Sequence, residues 1–143
     1  MRTGQPIISR PAWYDRNPKS ICVGFSGALA PHSTTIRWTY TCPAGKRAMI
    51  ELLQCSVRRV TAASMPNDFF SGILFTPIVG DEGIILIAYI TSAETAVGAK
   101  ELNMLGGNLM LQPGDEIKGY TGDFSTGGTV FYVLNYKLTE FDA

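Results

Sequence analysis

Val130-Phe131-Tyr132-Val133-Leu134-Asn135-Tyr136-Lys137-Leu138-Thr139 is the stretch that decides the fold. Val130, Tyr132, Leu134, Tyr136 and Leu138 share one parity, and Phe131, Val133, Asn135, Lys137 and Thr139 share the other. A period of two is the pattern of a strand with one face in a core. Moving towards the N-terminus, Gln112-Pro113-Gly114-Asp115 is a turn, because proline presets one φ and glycine accepts the positive φ that follows. Ile117 to Tyr120 is a short strand after it.

Earlier still, Ile36, Trp38 and Tyr40 alternate with Thr35, Arg37, Thr39 and Thr41, and Cys42-Pro43-Ala44-Gly45 closes that strand. The next strand is long. Ala48, Ile50 and Leu52 take one parity and Leu53, Cys55 and Val57 the other, so the phase changes at Leu52-Leu53, which marks a bulge or burial on both faces. Apolar segments at Phe69 to Phe75, Ile84 to Ile90 and Leu102 to Leu111 add further strands. Ala93 to Leu105 has room for a single helical turn before Gly106 and Gly107. Seven to nine strands separated by Gly, Pro and Asn turns, with no long helical pattern, predict an all-β chain. The expected architecture is an antiparallel β-sandwich of jelly-roll type over residues 21–143, with an extended N-terminal arm at 1–20.

The arm differs in composition. Pro6, Pro11 and Pro18 punctuate it, which keeps the backbone extended. Arg2, Arg10, Arg16 and Lys19 face the single Asp15, and Ile7, Ile8, Trp13 and Tyr14 are too apolar for an idle tail. Such an arm lies either on its own core or on a neighbour. Charge is uneven along the whole chain. Residues 1–60 hold nine basic and two acidic side chains, and residues 61–143 hold three basic and ten acidic, for a net charge of zero. That balance excludes bulk polycation binding to nucleic acid, and Lys46, Arg47, Arg58 and Arg59 do not share one parity as a basic stripe would require.

Apolar residues make up 45% of the 143 and charged residues only 17%, below the ~25% usual for soluble domains. Part of the outer surface is therefore expected to meet protein. The longest apolar run, Ile84 to Ile90, is far short of the ~20 residues that cross a membrane, and no apolar stretch near Met1 reads as a signal peptide. Cytoplasmic synthesis is the expectation. Cys22, Cys42 and Cys55 are expected to be free thiols, lacking both C-x-x-C spacing and a histidine cluster.

Catalytic chemistry finds little here. His32 is the only histidine and sits in the Ala30-Pro31-His32-Ser33 turn, so neither a cupin-type metal site nor a histidine-based triad can be assembled. Asp81-Glu82 and Asp115-Glu116 adjoin glycines, where acids bond their own backbone. Gly45-Lys46 precedes a strand rather than a helix, which fails the P-loop pattern. Gly122 to Gly128 faintly resembles the Gly-rich phosphate motif of trimeric dUTPases, but a full strand follows it and no uridine motif accompanies it. No catalytic residue, cofactor or metal is expected.

Pro43-Ala44-Gly45-Lys46 entering a long strand, Leu111-Gln112-Pro113-Gly114-Asp115-Glu116-Ile117, and Gly127-Gly128-Thr129-Val130 opening the last strand resemble small jelly-roll decoration (cement) proteins of tailed bacteriophage capsids. The similarity spans residues 43–138 and rests on turn grammar. It implies a trimer on the outside of a capsid that stabilises the shell. Its partners would be the major capsid protein and neighbouring decoration subunits, without direct nucleic-acid or membrane contact. The alternative is a receptor- or carbohydrate-binding jelly-roll module of a phage tail or fibre, using loops such as Asn67 to Phe70 and Asp123 to Thr126. The residues expected to bind the partner are Arg10, Trp13, Tyr14 and Arg16 in the arm, and Phe69 and Phe70 beside the Met65-Pro66-Asn67-Asp68 turn, because aromatics concentrate at interface hot spots.

Overall fold

The computed structural model describes residues 16–28, 33–59, 69–90, 98–105, 109–123 and 130–143. Nine strands occur among them: β1 (Lys19–Ala28), β2 (Ser33–Thr41), β3 (Lys46–Arg59), β4 (Phe69–Thr76), β5 (Gly83–Ile90), β6 (Gly98–Leu105), β7 (Met110–Leu111), β8 (Glu116–Asp123) and β9 (Val130–Asp142). One sheet runs β1-β9-β3-β6, with the two-residue β7 also paired to β3, and the other runs β2-β8-β4-β5. Every pairing is antiparallel. First strand pairs with last, second with next to last, and β3 with β6, while β4 and β5 form the innermost hairpin. That nesting is a long hairpin rolled on itself, the jelly-roll sandwich expected from the alternation.

The alternation fixes the core. Tyr132, Leu134, Tyr136 and Leu138 of β9 are buried, as are Ile50, Leu53 and Val57 of β3, Phe69 and Ile73 of β4, and Ile117 of β8. Each fully buried aliphatic side chain contributes ~1.5–3 kcal/mol relative to exposure. The phase change in β3 is a bulge. Register slips between Ile50 and Leu52 opposite β9, so Glu51 is the extra residue. Ala48 and Ile50 therefore face the same core as Leu53, Cys55 and Val57, and Leu52 is only half-buried. A second bulge lies between Ile36 and Trp38. It lets Arg37 donate from Nε to the Thr121 hydroxyl (2.9 Å) and sit over the Tyr132 ring, while Trp38 packs 4.6 Å from Tyr136. Ile36, which alternation alone would bury with Trp38, is left 50% exposed.

The two turns lock together at one end of the sandwich. The Cys42 N–H donates to the Asp115 carbonyl, and the Gly114 N–H donates back to the Cys42 carbonyl (2.9 and 2.8 Å). Gly114 has φ +90°, as the turn requires. The Asp115 carboxylate accepts from the Gln112 N–H and from the Ile78 N–H, both at 2.9 Å, so one buried acid ties the β7–β8 turn to the β4–β5 connection. Of the stretch with room for one helical turn, residues 98–105 are strand β6, paired with the exposed backbone edge of β3, and 93–97 lie outside the described residues. The first strand starts at Lys19. Cys22, Cys42 and Cys55 are free, Cys22 exposed and the other two buried; burial pushes the Cys55 thiol up to about 11.

Candidate docking face

The outward surface of β2-β8-β4-β5 follows from register. Thr34, Gly122, Phe70 and Tyr89 form one row across the four strands, and Ile36, Tyr120, Gly72 and Ile87 form the next. Thr39, Lys118, Leu74 and Ile84 follow, and then Thr41, Glu116 and Thr76. The upper two rows are mostly apolar, and the third sets Leu74 and Ile84 beside Thr39 and Lys118. Ile36 is 50%, Ile84 59% and Tyr89 49% exposed, with Phe70, Leu74 and Ile87 half-buried beside them.

Two glycines shape this surface. A Cβ on Gly72 would stand 2.7 Å from the Tyr120 ring and 2.9 Å from the Leu86 carbonyl, and one on Gly122 would strike the Phe70 ring. The missing side chains make room for both rings, which pack edge to face at 5.3 Å. The floor is thus aromatic, with Ile36, Ile84, Ile87 and Tyr89 around it. Burial pushes the Tyr120 phenol above its ordinary range, with smaller contributions from Cys55 and Glu82. The lower two rows carry the charges. Lys118 lies 3.5 Å from both Glu82 and Glu116, and the Thr76 hydroxyl donates to Glu82 at 2.6 Å. That hydroxyl, ahead of Lys118, holds the Glu82 carboxyl below the usual carboxylate range. Below it, Ile78 (69%) and Val79 (86%) project from the β4–β5 connection that Asp115 clamps.

The residues expected to bind a partner separate. Phe69 and Phe70 are neighbours in a strand and so point opposite ways: Phe69 is 1% exposed in the core, a correction to its expected role, and Phe70 lies on the outward face. Arg10, Trp13 and Tyr14 lie outside the described residues. Arg16 is exposed, and its carbonyl accepts from the Asp142 N–H at 2.7 Å. Asn17 follows with φ +52°, a left-handed turn that asparagine tolerates, and its side-chain amide donates to Asp142 Oδ2 (2.6 Å). Sequence reasoning missed Ile36, Ile84, Ile87, Tyr89 and Tyr120. A signal was present for β5: Ile84 to Ile90 is apolar at both parities, yet β5 is the outermost strand of its sheet, where only one face can meet the core.

The opposite sheet carries a shallow groove of about 530 Å³ lined by Ser26, Ser56, Arg58, Ala99, Glu101 and Phe131, among others. The Arg58 guanidinium lies 5.7 Å over the Phe131 ring. Among the described residues, no group of three or more His, Cys, Asp and Glu side chains could hold a metal.

No protein-family model matches the chain, and no curated protein matches it in sequence. Among solved structures it is similar to the Eiger TNF from S. frugiperda (10% identity, TM-score 0.35), covering 67% of this chain and 60% of that one. It is also similar to the Desmodium yellow mottle tymovirus structure (11%, 0.40), covering 99% of this chain and 96% of that one. The subviral particle of infectious bursal disease virus VP2 is similar at 13% identity and TM-score 0.41 over 99% of this chain and 39% of that one. The chain thus spans less than two thirds of the insect and VP2 chains.

Proposed function

We propose that the chain is a structural virion protein: a decoration protein that binds the outside of a phage capsid as a trimer and cements the shell. The observation that supports this reading is the outward face of β2-β8-β4-β5, where Ile36, Ile84 and Tyr89 stand exposed around the Phe70–Tyr120 floor. Apolar surface of this kind, rimmed by polar groups, marks a contact with protein. The turn grammar shared with decoration proteins points the same way, and Cys42, just ahead of its first motif, is hydrogen-bonded to Gly114 and Asp115 of the second at one end of the sandwich. Binding that exists only on the assembled shell stabilises assembly by mass action, which is how a protein without catalytic groups can harden a capsid. In this reading Arg10, Trp13 and Tyr14 extend from the root at Arg16 towards the major capsid protein or a neighbouring decoration subunit, and Phe70 serves on the sandwich itself. The protein acts on the capsid surface after synthesis in the host cytoplasm.

Adding the purified chain to capsids that lack it tests the reading. The expected result is density at local threefold positions by electron microscopy, with capsids surviving to a higher temperature. Failure to bind capsids, together with a monomer by sedimentation, contradicts it. The groove on the other sheet favours one second reading, glycan binding: a ring, a guanidinium, a carboxylate and two serine hydroxyls line a space within the ~300–1,000 Å³ of small-ligand sites. Binding on a glycan array, lost in Phe131→Ala, would shift the assignment to a receptor-binding module.

A further inference from the structure

We propose that the apolar face of β2-β8-β4-β5 is covered by residues 1–15 of a second copy of this chain, and that this exchange of arms is what joins the copies. The arm has the matching chemistry. It offers Ile7, Ile8, Trp13 and Tyr14 to an apolar surface and carries Arg2 and Arg10 with only Asp15 as an acid. The face ends in Asp81, Glu82 and Glu116 with the single cation Lys118 between them, three carboxylates to one ammonium, for a local net charge of −2.

Geometry decides between the chain's own arm and a neighbour's. Arg16 is tied to Asp142 at the end of β9, on the opposite sheet and at the Thr41 end of the sandwich. Trp13 lies three residues before Arg16 and reaches ~10 Å from it at ~3.3 Å per residue. To meet the row of Ile36 and Tyr120 it would have to cross the ~10 Å between sheets and then climb ~15 Å along β2, from Thr41 to Ile36. The aromatic pair cannot reach the Ile36 and Tyr120 row of its own face, whereas a neighbour's arm can approach that row directly. A contact of arm on face joins unlike surfaces, so it closes either as a reciprocal dimer or, where the rotation between copies allows, as a ring such as a trimer. It stands apart from the virion reading, because it is measured without capsids.

The test uses the full-length chain with Trp13→p-benzoylphenylalanine, made in ¹⁴N and ¹⁵N forms, mixed, unfolded and refolded together, then irradiated. The expected cross-links run from position 13 to peptides holding Ile36, Ile84, Ile87 or Tyr89, with light–heavy pairs as frequent as like pairs. Ile87→Glu in the same chain should lower their yield by roughly tenfold or more, with circular dichroism reporting that the fold is kept. Gln54→Ala, on the other sheet, should leave the yield unchanged. Cross-links confined to like pairs would mean the arm lies on its own subunit and overturn the proposal. Cross-links to the β1-β9-β3-β6 face, or none at all, would overturn it equally.

Discussion

The two outer faces of this sandwich each span a path of four strands, yet only one carries a polar ladder across them. On β1-β9-β3-β6 the outward side chains bond one another across the strands. The Asn135 amide donates to Gln54 (2.6 Å), and the Gln54 amide donates to Glu101 (2.7 Å). The Thr139 hydroxyl donates to Glu51 (2.8 Å), which also pairs with Lys137 (3.4 Å). Cross-strand polar pairs of this sort stabilise a solvated sheet. On β2-β8-β4-β5 the outward positions hold Ile36, Ile84, Ile87 and Tyr89, and the charges lie in the two lowest rows. One sheet thus carries a polar ladder on its outer side, and the other leaves an apolar surface there.

The largest expected effect separates the two sides of one strand. On β8, Gly119→Ala drives a methyl into the buried Trp38 indole and should destabilise the fold by about 3 kcal/mol in urea denaturation. Gly122→Ala, on the outward side, pushes against the ring of Phe70, which is only half-buried; a loss of less than about 1 kcal/mol is expected. Equal losses would show the outer rings to be as fixed as the core.

Next in size is the contrast between the faces in association. Ile84→Glu combined with Tyr89→Glu should weaken self-association by at least about tenfold, ~1.4 kcal/mol, by sedimentation, while leaving the melting temperature of the subunit almost unchanged. Gln54→Ala should do the reverse. It removes two hydrogen bonds on the polar ladder and should cost about 1 kcal/mol of stability with no change in association. If both variants weakened association alike, the distinction between the faces would fail.

The smallest effect concerns the root of the arm. Lys46, then the Asn17 amide, holds the Asp142 carboxyl below its ordinary range. A carboxyl depressed on folding stabilises the fold above its unfolded value, near 3.8, and that share is lost as pH falls through the lower folded value. Stability measured between about pH 5 and pH 2 should therefore decline slightly more in the native chain than in Asp142→Asn. Parallel declines would mean that Asp142 does not hold the root.

Much of this was legible in the sequence, and the reason is periodicity. The strict alternation of Val130 to Thr139, the Pro-Gly turn at 113–114 and the phase change in β3 each encode a local geometry, and each appears where the residues imply it. Phe69 could not be assigned to a face in advance, because neighbouring residues in a strand always oppose one another and only pairing with β5 and β8 sets which is inward. Ile36 misled for a related reason: a single extra residue at Arg37 reverses the phase of everything before it.

By itself, then, the sequence determined that the chain is a rolled β-sandwich with three free thiols, since those follow from the period of side chains and from cysteine spacing. Which apolar residues remain uncovered was decided only by tertiary structure. Ile84, Ile87 and Tyr89 are as apolar as Ile85, Ala88 and Ile90, and local propensity cannot rank them. The position of β5 at the edge of its sheet, and the bulge opposite Ile73 and Leu74, turn one set to the core and leave the other facing outward.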